Sequence, residues 1–268
     1  WADAGVDAAL ADAPVDRTAE VAAILRPRTG SGASSAAARP LPAPPPGGAP
    51  AFAGATAAAP DTGPGIEEAR RLAAGAHDLE ALKAAIEGFD GCGLKFEGAR
   101  QAVFARGATD APVMVIGEGP GGEEDAQGAP FVGRAGKLLD KMLAAAGLEG
   151  RVFITNTVFW RPPGNRTPTP AEQAVCAPFV ERAIALVRPK VLLLAGGASA
   201  KAMLKRTEGI LALRGRWFEW RSEDGSHEVP AMPTLHPAFL LRQPAAKKKA
   251  WEDLLTLTER VDRPERPT

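Results

Sequence analysis

Residues Val113 to Asp125 read VMVIGEGPGGEED. A short apolar run ends in a cluster of glycines, and three acids follow. That pattern predicts a buried strand turning directly into a helix. Gly117, Gly119 and Gly122 also spell G-x-G-x-x-G, the spacing of a dinucleotide-binding turn. The surrounding residues speak against that cofactor. Pyrophosphate would sit at the helix N-terminus, where peptide dipoles and free N–H groups favour negative charge. Here Glu123, Glu124 and Asp125 crowd that place, and Pro120 removes an N–H from the cradle. The ribose-binding acid is expected after the second strand, yet that strand ends in Asn156. No G-x-x-x-x-G-K-[ST] occurs, which also speaks against a nucleoside triphosphatase.

The flanking elements repeat the strand-then-helix alternation. AGKLLDKMLAAAGL places Ala135, Leu138, Leu139, Met142, Leu143 and Ala146 on one helical face, with Gly147 as the stop. RVFITN is a second strand. TPAEQAVCAPFVERAIALV opens with a capping box from Thr169 to Glu172 and Pro170 at the first helical position. Pro178 is expected to kink or split that helix. KVLLLAGG is a third strand, ASAKAMLKR a short helix, and VPAMPTLHP a fourth strand ending at His236. Upstream, Leu79, Leu82, Ile86 and Phe89 recur at helical spacing behind an Asp78 cap. The expectation is an α/β three-layer sandwich, with a mostly parallel four-stranded sheet flanked by helices. Sites in such sheets lie at the carboxyl ends of strands, here Gly117, Asn156, Gly196 and His236.

The folded domain is expected over residues 66–268. Residues 1–65 read as a tail and linker, since RPLPAPPPGGAPAFAGATAAAP has too few large apolar residues to build a core. The 268-residue chain carries 32 basic and 32 acidic residues, so any nucleic-acid surface has to be a local patch. No apolar run is long enough to span a bilayer, and no basic-then-apolar leader pattern opens the chain. Two cysteines, Cys92 and Cys176, do not make a disulfide framework. A cytoplasmic monomer without membrane contact is the expectation.

Five stretches, in order, carry a family resemblance: GEGPGGEEDAQGAPFVGRAGKLLDKML, ITNTVFWRPPGNRTPTPAE, RPKVLLLAGGASAKAML, LRGRWFEW and PTLHPAFLLR. Together they resemble the uracil-DNA glycosylase superfamily, most closely its family 4, over about residues 76–258. The resemblance implies a monofunctional hydrolase that flips uracil from single- or double-stranded DNA and cleaves its N-glycosidic bond. A noncatalytic DNA-binding relative that recognises uracil or abasic sites is the alternative.

The resemblance also assigns roles. Phe131 would stack on the flipped base. Asn156 would accept from uracil N3–H and donate to O4, a pairing that cytosine reverses. Glu124 would fill the space at C5 and exclude thymine; the chain has no tyrosine for that purpose. Gly119 would let the backbone approach the base. His236 would donate to uracil O2 as charge develops on the leaving base. Glu118 would orient or activate water, or stabilise a cationic sugar. Arg214, Arg216 and Arg242, with Lys247 to Lys249, would grip DNA. Leu240 and Leu241 would wedge into the duplex. Alone, each of these residues also has an ordinary structural reading: a core Phe, a turn-capping Asn, a first-turn acid, a solvated lysine face.

One departure stands out. Family 4 typically holds an iron–sulfur cluster on four cysteines. The corresponding positions here read Phe89, Cys92, Trp160 and Cys176. Two thiolates cannot supply a Cys₄ set, so no cofactor and no metal is expected.

Overall fold

The computed structural model describes residues 63–263. The expected N-terminal tail lies outside the described residues, except that Gly63 already begins helix α1 (Gly63–Gly75). Helix α2 (Leu79–Gly88) follows, and Asp78 caps it by accepting from the Ala81 N–H at 2.7 Å.

Six strands form one sheet in the order β1-β3-β2-β4-β6-β5. The four expected strands are its parallel centre: β2 (Val113–Gly117), β3 (Val152–Asn156), β4 (Val191–Ala195) and β6 (Glu228–Thr234). Two edge strands, β1 (Ala105–Gly107) and β5 (Phe218–Arg221), add antiparallel pairs beyond the expected four. β1 is three residues of mixed polarity, too short for a periodic signal. β6 ends at Thr234, so His236 stands two residues past the strand, as the N-cap of the next helix.

β2, β3 and β4 are buried along their whole length, which explains their unbroken apolar runs. Successive side chains serve opposite layers. Met114 and Ile116 pack in a core with Leu82 and Ile86 of α2, and with Phe179 and Ala183 of the long helix α5 (Pro170–Val187). Val113 and Val115 pack with Leu139 and Leu143 of α4 (Arg134–Ala145), and with Leu254 and Leu257 of α9 (Lys247–Asp262). Three shorter helices lie between α5 and α9: α6 (Gly197–Leu204), α7 (Ile210–Leu213) and α8 (Pro237–Arg242).

The expected capping box at Thr169 and Glu172 is present. Pro178 does not split α5, which runs unbroken through it. One ladder bond is missing there, but Val175, Cys176, Phe179 and Val180 are buried around it, and packing rather than propensity sustains the helix. Among the described residues, no helix is long and apolar enough to cross a membrane.

Candidate active site

At the carboxyl edge of the sheet, β2 and β3 end side by side, with Gly117 paired to Asn156. β2 passes into a glycine turn and the short helix α3 (Gly122–Gln127). The loop after α3 carries Phe131, and α8 starts behind His236. These elements enclose a cavity of about 500 Å³. Glu118, Gly119, Glu124, Phe131, Asn156, His236 and Arg242 all line it. Sequence positions 118 to 242 are thus brought to one place by the strand order.

Asn156 is 2% exposed, and its amide has no hydrogen-bond partner within the described residues. The amide opens onto the cavity rather than being sealed in the core, so its donor and acceptor are available to a ligand there. Gly117 lies directly against it: a Cβ there would collide with the Asn156 side-chain oxygen and the Phe131 ring. The strand end therefore requires glycine for close packing of two pocket residues.

The ring of Phe131 faces that of His236, with centroids 5.7 Å apart and planes inclined by 31°. Phe131 holds a left-handed backbone, φ 54°, which costs a non-glycine residue about 1–2 kcal/mol. His236 Nδ1 accepts the Ala238 N–H at 3.1 Å. In the neutral ring the proton therefore sits on Nε2. Burial, with help from Arg242, lowers the pKa of His236 to about 4, and Glu124 opposes that only in part. The imidazole is neutral at physiological pH and offers one N–H.

Glu124 lines the cavity, but its carboxylate is engaged with backbone. It accepts from Gly121 N at 3.1 Å, Val132 N at 3.1 Å and Gly133 N at 2.9 Å. It ties the start of α3 to the loop just after Phe131. At Gly119, the groups a side chain would meet first are Val158, at 2.9 Å, and Pro168, at 3.5 Å. A side chain there would have to push the Val158 methyl aside, so packing at the β3 exit already favours glycine without any ligand. Glu118 has its carbonyl fixed by Thr157, whose hydroxyl donates to it at 2.6 Å.

The family profile of the uracil DNA glycosylase superfamily matches residues 104–255, more than half of the chain and every residue of this cavity. The chain belongs to the uracil-DNA glycosylase superfamily. It is 38% identical over 183 residues to the type-4 uracil-DNA glycosylase of Pyrobaculum aerophilum, covering 66% of this chain and 91% of that one. The type-4 enzyme of Sulfurisphaera tokodaii is 36% identical over 196 residues, 71% of this chain and 88% of its own. That of Thermotoga maritima is 41% identical over 142 residues, 52% and 71% respectively.

The DNA-facing residues expected of a superfamily member separate into two groups. Arg216 and Arg242 are exposed, Leu241 is 38% exposed, and Lys248 and Lys249 are exposed on α9. Leu240 corrects the expected wedge pair: it is 0% exposed and packs with Leu235 and Ala250. One helical step turns the side chain by about 100°, so only Leu241 faces outward. Arg214 is also reassigned. Its guanidinium bonds both carboxylate oxygens of Asp253, which is itself 1% exposed, and the Lys249 carbonyl. Asp253 accepts from Thr234 as well, at 2.7 Å. Arg214 bolts its loop to α9 and the end of β6 rather than standing free for phosphate.

The four positions that the family-4 resemblance assigns to cluster ligands form solid core. Phe89 and Trp160 are each 1% exposed, with ring centroids 6.5 Å apart, and Phe89 meets Phe179 edge-on at 5.2 Å. Cys92 and Cys176 are buried with their sulfurs 3.9 Å apart. Contact with Cys92 and burial together push the Cys176 thiol well above its usual range. Two thiols hemmed in by aromatic rings do not fit a cluster that needs four. No group of three or more His, Cys, Asp or Glu side chains among the described residues is placed to hold a metal.

Sequence reading missed several supporting residues. Thr157 stands next to Asn156, and its hydroxyl was a readable signal. Asp253 sits in a helix of charged residues with nothing to mark it as buried. Arg106 lies in the unforeseen edge strand β1, where no motif points to it. A second cleft, of about 540 Å³, lies among α1, α5 and the β5–β6 turn. Its Arg70 pairs with Glu67 and Glu223, and Arg182 donates to the Ala76 carbonyl, so its cations are already engaged.

Proposed function

We propose that this protein is a uracil-DNA glycosylase that hydrolyses the N-glycosidic bond of uracil in DNA and leaves an abasic site, acting without a metal or cluster. The supporting observation is that Asn156, whose amide makes no side-chain hydrogen bond within the described residues, lines the same cavity as the neutral His236. Uracil is the base whose pairing edge suits both. Asn156 accepts from N3–H and donates to O4, and His236 Nε2–H donates to O2. Cytosine would leave two buried polar groups unpaired, a mismatch that sites of this kind reject strongly.

The base is drawn from the stack and lies on Phe131. The bond from uracil N1 to the sugar C1′ breaks, its electron pair leaves with the base, and water adds at C1′, the proton it releases finally neutralising the departed uracil anion. The growing negative charge on O2 is met by the preformed N–H of His236, whose ring needs no reorganisation. Glu118 supplies a carboxylate beside the sugar, where it holds the water and offsets the cationic sugar. Glu124 closes the C5 side through the loop it braces. Arg216, Arg242 and the exposed α9 lysines hold the phosphates, and Leu241 fills the gap left by the base. The protein acts as a cytoplasmic monomer on uracil-containing DNA, single- or double-stranded.

Release of free uracil from a uracil-containing oligonucleotide is the direct test. Binding of such DNA without release, by folded protein, would favour a noncatalytic reader instead.

A further inference from the structure

The strained Phe131 is held from two sides, and one side is built by a residue outside every motif. Arg106 on β1 donates from Nε to the Pro130 carbonyl at 2.7 Å and from a terminal nitrogen to the Phe131 carbonyl at 3.1 Å. The same terminal nitrogen reaches Asp140 on α4 at 2.6 Å, which aims the guanidinium. From the opposite side, Glu124 holds the next two amides, Val132 and Gly133. Gly136 completes the clamp, since a Cβ there would run into the Phe131 carbonyl. The two carbonyls and the two following amides are therefore fixed by one cation and one carboxylate.

Arg106 is also in register with the base-reading strand. β1 pairs antiparallel with β3, with Arg106 opposite Ile154, two residues before Asn156. A single edge strand thus fixes the loop that carries the stacking ring and lies against the strand that carries the amide. An ordinary surface ion pair is the simpler reading, because Arg106 and Asp140 are 28% and 50% exposed and such pairs contribute little. That reading leaves the two carbonyl contacts and the left-handed backbone between them without a purpose.

We propose that Arg106 is a positioning residue, which holds Phe131 in its left-handed conformation so that the ring is preset to stack on the flipped uracil. This rests on the glycosylase reading above. The test compares wild type, R106A, R106K, F131A and the double variant R106A/F131A. Three quantities are read: the single-turnover rate at saturating enzyme, inhibition by free uracil, and the thermal midpoint. R106A is expected to lose about tenfold in rate and to need about tenfold more uracil for half inhibition, the scale of one or two charge-assisted hydrogen bonds. R106K should recover part of both. In the F131A background, R106A should add less than about twofold, because the two act through one ring.

Loss of uracil release in wild type would sink the glycosylase reading itself. An active wild type with unchanged rate and uracil inhibition in R106A would overturn the positioning role alone. So would a tenfold loss that persists in the F131A background. Should R106A melt below the assay temperature, R106K carries the same comparison.

Discussion

His236 Nδ1 accepts the backbone N–H of Ala238, and this one bond decides which ring nitrogen carries the proton. It caps α8 with Nδ1, which leaves the proton on Nε2 of a ring that lines the cavity. Protonating Nδ1 would break the cap. The unfolded chain takes up that proton near the ordinary histidine value of about 6.5, the folded chain only near pH 4. The stability tied to a neutral His236 is therefore complete above about pH 6.5 and is lost as pH falls to about 4, a difference of roughly 3 kcal/mol. Denaturant titrations across that range should show the slope in wild type and a shallower one in H236Q. The same slope in both would assign it to other groups. H236A should slow cleavage by about a hundred- to a thousandfold, as for losing one placed donor.

Glu124 braces the loop of Phe131 through Val132 and Gly133. E124A leaves three backbone N–H groups without their acceptor, at about 1–3 kcal/mol for each that stays dry. It should lower both the thermal midpoint and uracil cleavage, with only weak admission of thymine. A variant with full stability and full uracil activity that cleaves thymine would make Glu124 a plain steric wall instead.

Leu240 and Leu241 are neighbours with opposite fates. L240A removes a fully buried side chain and should destabilise the protein by about 2–5 kcal/mol. L241A should leave the melt within about a degree, since exposed positions change stability little, while slowing cleavage more in duplex than in single-stranded DNA. Equal effects on the two substrates would remove Leu241 from the wedge role.

Phe89 and Trp160 fill with rings two positions that the family resemblance assigns to cluster thiolates. F89A or W160A should destabilise by about 3–5 kcal/mol, the range for emptying a packed aromatic site. Purified protein should be colourless and indifferent to chelators, and C92S should keep its activity. Iron and sulfide at several atoms per chain would show that Cys92 and Cys176 recruit further ligands.

Much of this was legible in the sequence because it is local. The four parallel strands were readable as apolar runs, and the caps at Asp78 and Thr169 as short-range patterns. The pocket residues Phe131, Asn156 and His236 were readable through motifs whose spacing is short. A split at Pro178, one of the two expected outcomes, did not occur; propensity alone cannot register the buried neighbours that carry α5 through it.

Sequence alone determined which chemistry the chain can present: an amide at one strand end, an imidazole after another, an aromatic in a loop, and two thiols where four are needed. The tertiary structure decided which of those groups are free to act. Arg214 lost its free charge to Asp253, 39 residues away, and Arg106 acquired its carbonyl partner Phe131 at a separation of 25. Leu240 went inward while Leu241 stayed out. The reason is physical: a helical or strand pattern is set by neighbours along the chain, whereas a side chain's partners are set by which distant segments the sheet and its covering helices press together.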